Sequence, residues 1–263
     1  MLTEILKWYA ARLIVLYKGG FYAHSLSLLR RQLPQRGSLN QKGVCMNTAT
    51  HLFLVRHCQS MGNLENVFQG QSDADVSTMG EKQLALLGLR FRNVHLDAIY
   101  ASPLLRARKT AEAINEYHGL GIQFMPELME IDVGELEGKP LGCLSAEYPV
   151  LSRQWNETPQ DCVFPGGESM AQVYARAKAA LHTILAESAG KTVLVASHGC
   201  LLRNMACALL YHTIDALPQV VLSGNTSVSE FEISDAGVRV VRMNDLSHLP
   251  EELLGNPNQY VLK

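Results

Sequence analysis

The chain has 263 residues, 47% of them hydrophobic, and a formal net charge of −2. That is enough apolar material for one substantial core with a small appendage, and it gives no whole-chain reason to expect a nucleic-acid partner. No uninterrupted apolar stretch reaches the roughly 18 to 20 residues of a membrane span, because Lys7, Arg12 and Lys18 break the best candidate.

The charge is unevenly spread along the chain. Before Met46 stand Lys7, Arg12, Lys18, Arg30, Arg31, Arg36 and Lys42 against Glu4 alone, a net of +6 that leaves −8 for the remainder. This segment is rich in Leu, Tyr and Trp. It fits an amphipathic helix on an anionic membrane surface or a targeting peptide, although it shows no clean apolar region followed by a cleavage site. It fits equally a stretch upstream of a true start at Met46, and no chemistry is assigned to it.

From His51 onward, strand patterns alternate with helix patterns. Short apolar runs at HLFLV (51–55), LDAIYAS (96–102) and TVLVAS (192–197) have the length of buried strands. Thr78 and Glu81 have the spacing of a capping box for a helix through Phe91, and Pro103 stands where the first turn of the next helix would begin. A longer helix is expected over 168–187, and TSVSEFEI (226–233) with VRVVRM (238–243) alternates like a closing hairpin. The order implies a three-layer α/β/α sandwich with a mostly parallel central sheet, undivided by any internal repeat or long linker. The six cysteines, Cys45, Cys58, Cys143, Cys162, Cys200 and Cys207, form no CxxC pair and no cluster with histidine. That suits free thiols in a reducing, cytoplasmic setting and offers no metal site.

In such a sheet, ligands bind beyond the carboxyl ends of the strands, where helix N-termini offer N–H groups to anions. The first strand ends in Arg56 and His57. The second ends in Ala-Ser-Pro, with Arg106 following, and the third ends in Ser197, His198 and Gly199 at a helix start. Singly, each of these residues reads as a solvated arginine or a structural histidine. Two arginines and two histidines at equivalent strand ends make instead a site for a phosphoryl group, whose equatorial oxygens need cationic donors. A histidine with one unprotonated ring nitrogen supplies the nucleophile, and neighbouring arginines favour its neutral form.

LVRHCQS, SPLLRARKTAE, LMEIDVGELEG, FPGGES and VASHG, in that order over residues 50–245, resemble the histidine phosphatase superfamily, also called the phosphoglycerate mutase-like family. The resemblance implies that 46–263 is the catalytic domain and 1–45 an extension. It implies that His57 becomes a phosphohistidine, that Arg56, Arg106 and His198 surround the phosphoryl group, and that Glu130 is the proton donor. Asn63 and Gln69, with Gly70 and Gly199, match positions facing the phosphate. Arg108 is a helix-surface residue, Glu135 and Glu137 are structural or solvated, and Glu168 and Ser169 start a helix. No metal or other cofactor is required.

The 68 positions from Glu130 to His198 leave no room for the lid insertion of the mutases, so the compact phosphatase branch is implied, with mutase-type transfer as the alternative. A weakly active member that binds phosphorylated ligands is a third possibility, opposed by the complete catalytic set. The partner expected is a small phosphomonoester, with the protein a monomer or homodimer. Leu136, Leu141, Tyr148, Trp155 and Phe164 are expected to line the pocket beyond the phosphate. Cys58 departs from the glycine that usually follows the catalytic histidine; it reads first as a tolerated small residue, with a lowered pKa and oxidation of a thiol beside two cations as the alternative.

Overall fold

The computed structural model describes residues 49–221 and 224–255; the basic segment before Met46 lies outside them, with the roles weighed for it. Six strands, β1 (Thr50–Arg56), β2 (Ala98–Ala101), β3 (Ile122–Phe124), β4 (Thr192–Ser197), β5 (Val228–Ser234) and β6 (Gly237–Asp245), form one sheet in the order β3-β2-β4-β1-β5-β6. The first four strands run parallel, and β5 and β6 form an antiparallel hairpin on the β1 side. The helices are α1 (Met61–Leu64), α2 (Thr78–Phe91), α3 (Leu105–Asn115), α4 (Cys143–Glu147), α5 (Pro149–Glu157), α6 (Met170–Glu187) and α7 (Gly199–Tyr211).

Because side chains alternate along a strand, β1 and β4 feed two cores. Leu52, Leu54, Val193 and Val195 pack with residues of α6 and α7. Phe53, Val55, Leu194 and Ala196 pack on the other face with Leu87 and Phe91 of α2 and Ala111 and Ile114 of α3. Each fully buried aliphatic side chain contributes about 2 kcal/mol relative to exposure. The sandwich is the fold expected from the sequence, and burial on both faces explains why its central strands read as continuous apolar runs.

Three helix starts differ from expectation. The cap of α2 is Ser77, whose extended backbone (φ −78°, ψ 165°) lets its hydroxyl accept from Gly80 N–H. Glu81 lies 3.6 Å from Lys109 instead of closing a box with Thr78. Pro103 precedes α3 by two residues, and Asp73 Oδ1 accepts from Leu105 N–H at 2.6 Å. α6 begins at Met170 behind a capping box of Ser169 and Gln172, which leaves Glu168 outside the helix and free to act elsewhere.

Candidate active site

The register of the sheet makes the site. Arg56 ends β1 directly beside Ser197, which ends β4, so the residues that follow, His57 and His198, leave adjacent strands together. Their ring centroids are 5.1 Å apart. Arg106 joins them from the first turn of α3, and all four side chains are at most 3% exposed. A Cβ at position 199 would stand 3.2 Å from the guanidinium carbon of Arg56, so Gly199 permits the close approach of that arginine to the start of α7.

His57 Nδ1 lies 2.6 Å from the carbonyl oxygen of Cys58, an acceptor, so Nδ1 carries the proton and Nε2 the lone pair. Burial, then Arg106 and Arg56, hold its pKa well below the ordinary 6.5, and the ring is neutral at neutral pH. The His57 carbonyl in turn accepts from Thr226 N–H at 3.2 Å and Asn225 Nδ2 at 3.1 Å. Thr226 has φ +56°, an uncommon conformation for a β-branched residue, so the turn holding the His57 backbone stores strain.

His198 is also held neutral by burial and the same arginines. Its Nε2 lies 2.7 Å from Ser102 Oγ, which accepts from Leu104 N–H. The tautomer with the ring proton on Nδ1 accepts the hydrogen of that hydroxyl at Nε2. That buried Nδ1 has no partner among the described residues, and neither have Arg106 Nε and Gln69 Nε2. Buried donors left unsatisfied are costly. Three of them around two histidines are what an anion would satisfy.

Arg106 is fixed by a loop: its Nη1 donates to Ser72 O at 2.9 Å and its Nη2 to Gly70 O at 2.7 Å. Burial lowers its pKa to about 10, so it keeps its charge at neutral pH. The loop is secured by Glu137, whose carboxylate accepts from Gly70 N–H, Gln71 N–H and Ser72 Oγ. Glu137 is therefore structural, as expected. Gly70 is not a phosphate donor: its N–H is taken by Glu137. A Cβ there would meet Ile131 O at 2.5 Å, so its glycine character serves loop packing.

Glu130 is 8% exposed, and its carboxylate accepts from Ile131, Cys200 and Leu201 N–H at 2.9, 3.1 and 3.2 Å. The start of α7, expected to offer N–H groups to the phosphate, thus faces Glu130. The backbone of this loop is gripped by Arg176, which donates to the carbonyls of Glu127, Met129 and Glu130. Glu168 pairs with Arg176 at 2.8 Å and accepts from Asp132 N–H at 2.9 Å, so it anchors the acid's loop instead of starting a helix. Ser169 does start one.

A cleft opens over this arrangement, lined by Arg56, His57, Asn63, Gln69, Glu130 and Gly199 together with an apolar set that includes Phe68, Ile131, Val133, Leu141, Trp155 and Phe164. Its empty volume is about 690 Å³, open solvent at the mouth included, which is the scale of small-molecule sites. Asn63 Oδ1 accepts from Ser60 N–H and Asn225 Nδ2, and Gln69 Oε1 accepts from Ser60 Oγ.

The model of the histidine phosphatase superfamily (branch 1) matches residues 52–246. The chain belongs to the histidine phosphatase superfamily. It is 36% identical over 200 residues to phosphoserine phosphatase 1 of Hydrogenobacter thermophilus, covering 76% of this chain and 94% of that protein. It is 34% identical over 207 residues to the probable phosphoglycerate mutase GpmB of Salmonella choleraesuis, covering 75% and 94%. Among solved structures, YhfR of Bacillus stearothermophilus superposes with a TM-score of 0.71 at 30% identity, covering 76% of this chain and 99% of that one.

Other expectations for this superfamily member meet different outcomes. Leu141, Trp155 and Phe164 line the cleft, whereas Leu136 is wholly buried in the core and Tyr148 stacks under Lys139 away from the lining. Arg108 is on the surface, paired with Glu112 at 2.8 Å. Cys58 is a tolerated small residue, and its thiol is not the lowered one of the alternative reading: burial pushes it up to about 12, and its N–H donates to Thr110 Oγ1. Its side chain packs beside Val76 and Leu84, so the Cβ is accommodated without a left-handed backbone. Ser102, Thr226, Glu168 and Arg176 were given no role in positioning the site by the sequence. Ser102 stands in the quoted SPLLRARKT motif and is the one with a readable signal.

Proposed function

We propose that this superfamily member is a metal-independent phosphomonoester hydrolase that works through a phosphohistidine at His57. The observation that carries the reading is the buried, neutral His57, with Nδ1–H bonded to the Cys58 carbonyl and two arginines beside it. The Nε2 lone pair forms the N–P bond as the ester P–O bond breaks. Arg56, Arg106 and His198 Nδ1–H stabilise the equatorial oxygens. The carboxylic acid form of Glu130 gives its proton to the leaving oxygen. Water then attacks phosphorus and yields a proton to Glu130. The N–P bond breaks, neutral His57 is restored and phosphate departs. Throughout, the Nδ1–H bond to Cys58 O favours the cationic phosphohistidine ring.

Hydrolysis is favoured over mutase-type transfer by the short span from Glu130 to His198, which carries no lid insertion to exclude water. No helix among the described residues is long and apolar enough to cross a membrane, in keeping with a cytoplasmic enzyme acting on a small ester. The test is phosphate release by the full chain from a panel of phosphomonoesters in the presence of EDTA, beside His57→Ala. Release that survives the chelator and disappears in the variant is expected. Interconversion of phosphoglycerates without release would establish the mutase instead, and tight binding without either reaction a phospholigand binder.

A further inference from the structure

The cleft has two unlike ends, and the second one selects. Resting on the hydrolase reading, we propose that the site takes phosphomonoesters whose alcohol part is aromatic or otherwise apolar and carries no carboxylate. The wall facing the leaving group is built from Phe68, Ile131, Val133, Leu141, Trp155 and Phe164. Phe164 holds it together, meeting Trp155 edge-to-face at 5.9 Å and Phe68 at 6.5 Å. Leu141 and Trp155 remain half-exposed and present their apolar surface to an incoming group.

Among the described residues, the charged side chains lining the cleft are Arg56 and Glu130. Arg56 belongs to the phosphoryl end, so a carboxylate on the alcohol part would lie against apolar surface with the like charge of Glu130 on its wall. The neighbouring cations are committed elsewhere. Arg106 holds Gly70 and Ser72, Arg176 holds Glu168 and the 127–130 carbonyls, and Lys139 donates to Tyr148 Oη at 3.0 Å. This distinguishes the chain from a site for phosphoserine or phosphoglycerate, the substrates in its relatives' names.

The experiment compares kcat/KM of the full chain for phenethyl phosphate, glycerol phosphate, phosphoserine and 3-phosphoglycerate, which, glycerol phosphate taken as its primary ester, are all primary alkyl esters of similar intrinsic leaving ability. Phenethyl phosphate is expected to exceed the two carboxylate esters by about 100-fold or more, the penalty of a buried unpaired charge. Trp155→Ala is expected to raise KM for phenethyl phosphate about tenfold, and to raise KM for glycerol phosphate by a much smaller factor. Leu141→Lys, which adds a cation at the half-exposed wall without emptying the core, is expected to raise kcat/KM for phosphoserine and lower it for phenethyl phosphate. A smaller ratio, or a preference for the carboxylate esters, with phosphate still released, overturns the proposal and leaves the hydrolase reading standing. No release from any ester and no phosphate on His57 overturns the hydrolase reading and this one with it.

Discussion

The phosphoryl end of the cleft and its leaving-group end are built by different means. At the phosphoryl end, His57 and His198 emerge from two paired strands and Arg106 from the first turn of a helix, all within the most buried part of the sheet. At the leaving-group end, the wall comes, apart from Phe68, from the segment between Glu130 and Phe164, made of short turns with α4 and α5. Single side chains, Glu137, Glu168 and Arg176, staple this segment to distant backbone. Chemistry is thus placed on rigid elements and selection on a segment whose sequence can vary without disturbing the sheet.

The largest effect that breaks this contrast is at Arg106. Arg106→Met removes a charge from the phosphoryl end and is expected to lower kcat/KM by about 1,000-fold for every ester alike, a uniformity that steady-state kinetics on the substrate panel checks. Next, Glu130→Gln is expected to lower kcat/KM, which reports transfer to His57, by about 100-fold for alkyl esters and far less for p-nitrophenyl phosphate, whose leaving group needs no proton. Equal losses for both would remove Glu130 as the acid. Arg176→Lys keeps the charge but not the fork that holds three carbonyls. It is expected to lower kcat/KM about tenfold for alkyl esters, with little change for p-nitrophenyl phosphate, because it moves only the loop bearing the acid.

The smallest effect concerns pH. His57 and His198 have folded pKa values below 6.5, so their neutral forms persist as pH falls through 6.5. The base limb of activity assigned to His57 is expected to appear only well below that value in a kcat/KM profile. Stability behaves oppositely. Below 6.5 the unfolded chain binds protons that folded His57, His198 and His248, the last lowered to about 4, do not. Unfolding therefore becomes easier as pH falls from 6.5 toward 4, which thermal melts across that range check.

The same contrast explains what was legible in the sequence. Arg56, His57, Arg106 and His198 could be found because each ends a strand pattern or starts a helix within a few residues of it. The alternation of β1 and β4 fixes which residues reach the sheet's edge. The hairpin of β5 and β6 was legible for the same reason. β3, α1 and α4 were not, since three to five residues show no period. The Arg176 grip on Glu130 was unreadable because its partners are 46 residues apart. Glu168 looked like a helix start only because Ser169 beside it is one. The alternative of a lowered thiol pKa at Cys58 came from its charged neighbours in sequence, whereas its surroundings in space include the apolar side chains of Val76 and Leu84.

The most direct test is to mix the full chain with phosphorus-labelled phenethyl phosphate, quench within one turnover in alkali, where phosphohistidine survives, and map the label. The account predicts transient label on His57, absent from His57→Ala and prolonged in Glu130→Gln when p-nitrophenyl phosphate is the donor, because the water that clears it has lost its base. Steady release of phosphate with no label on His57 at any time would contradict it.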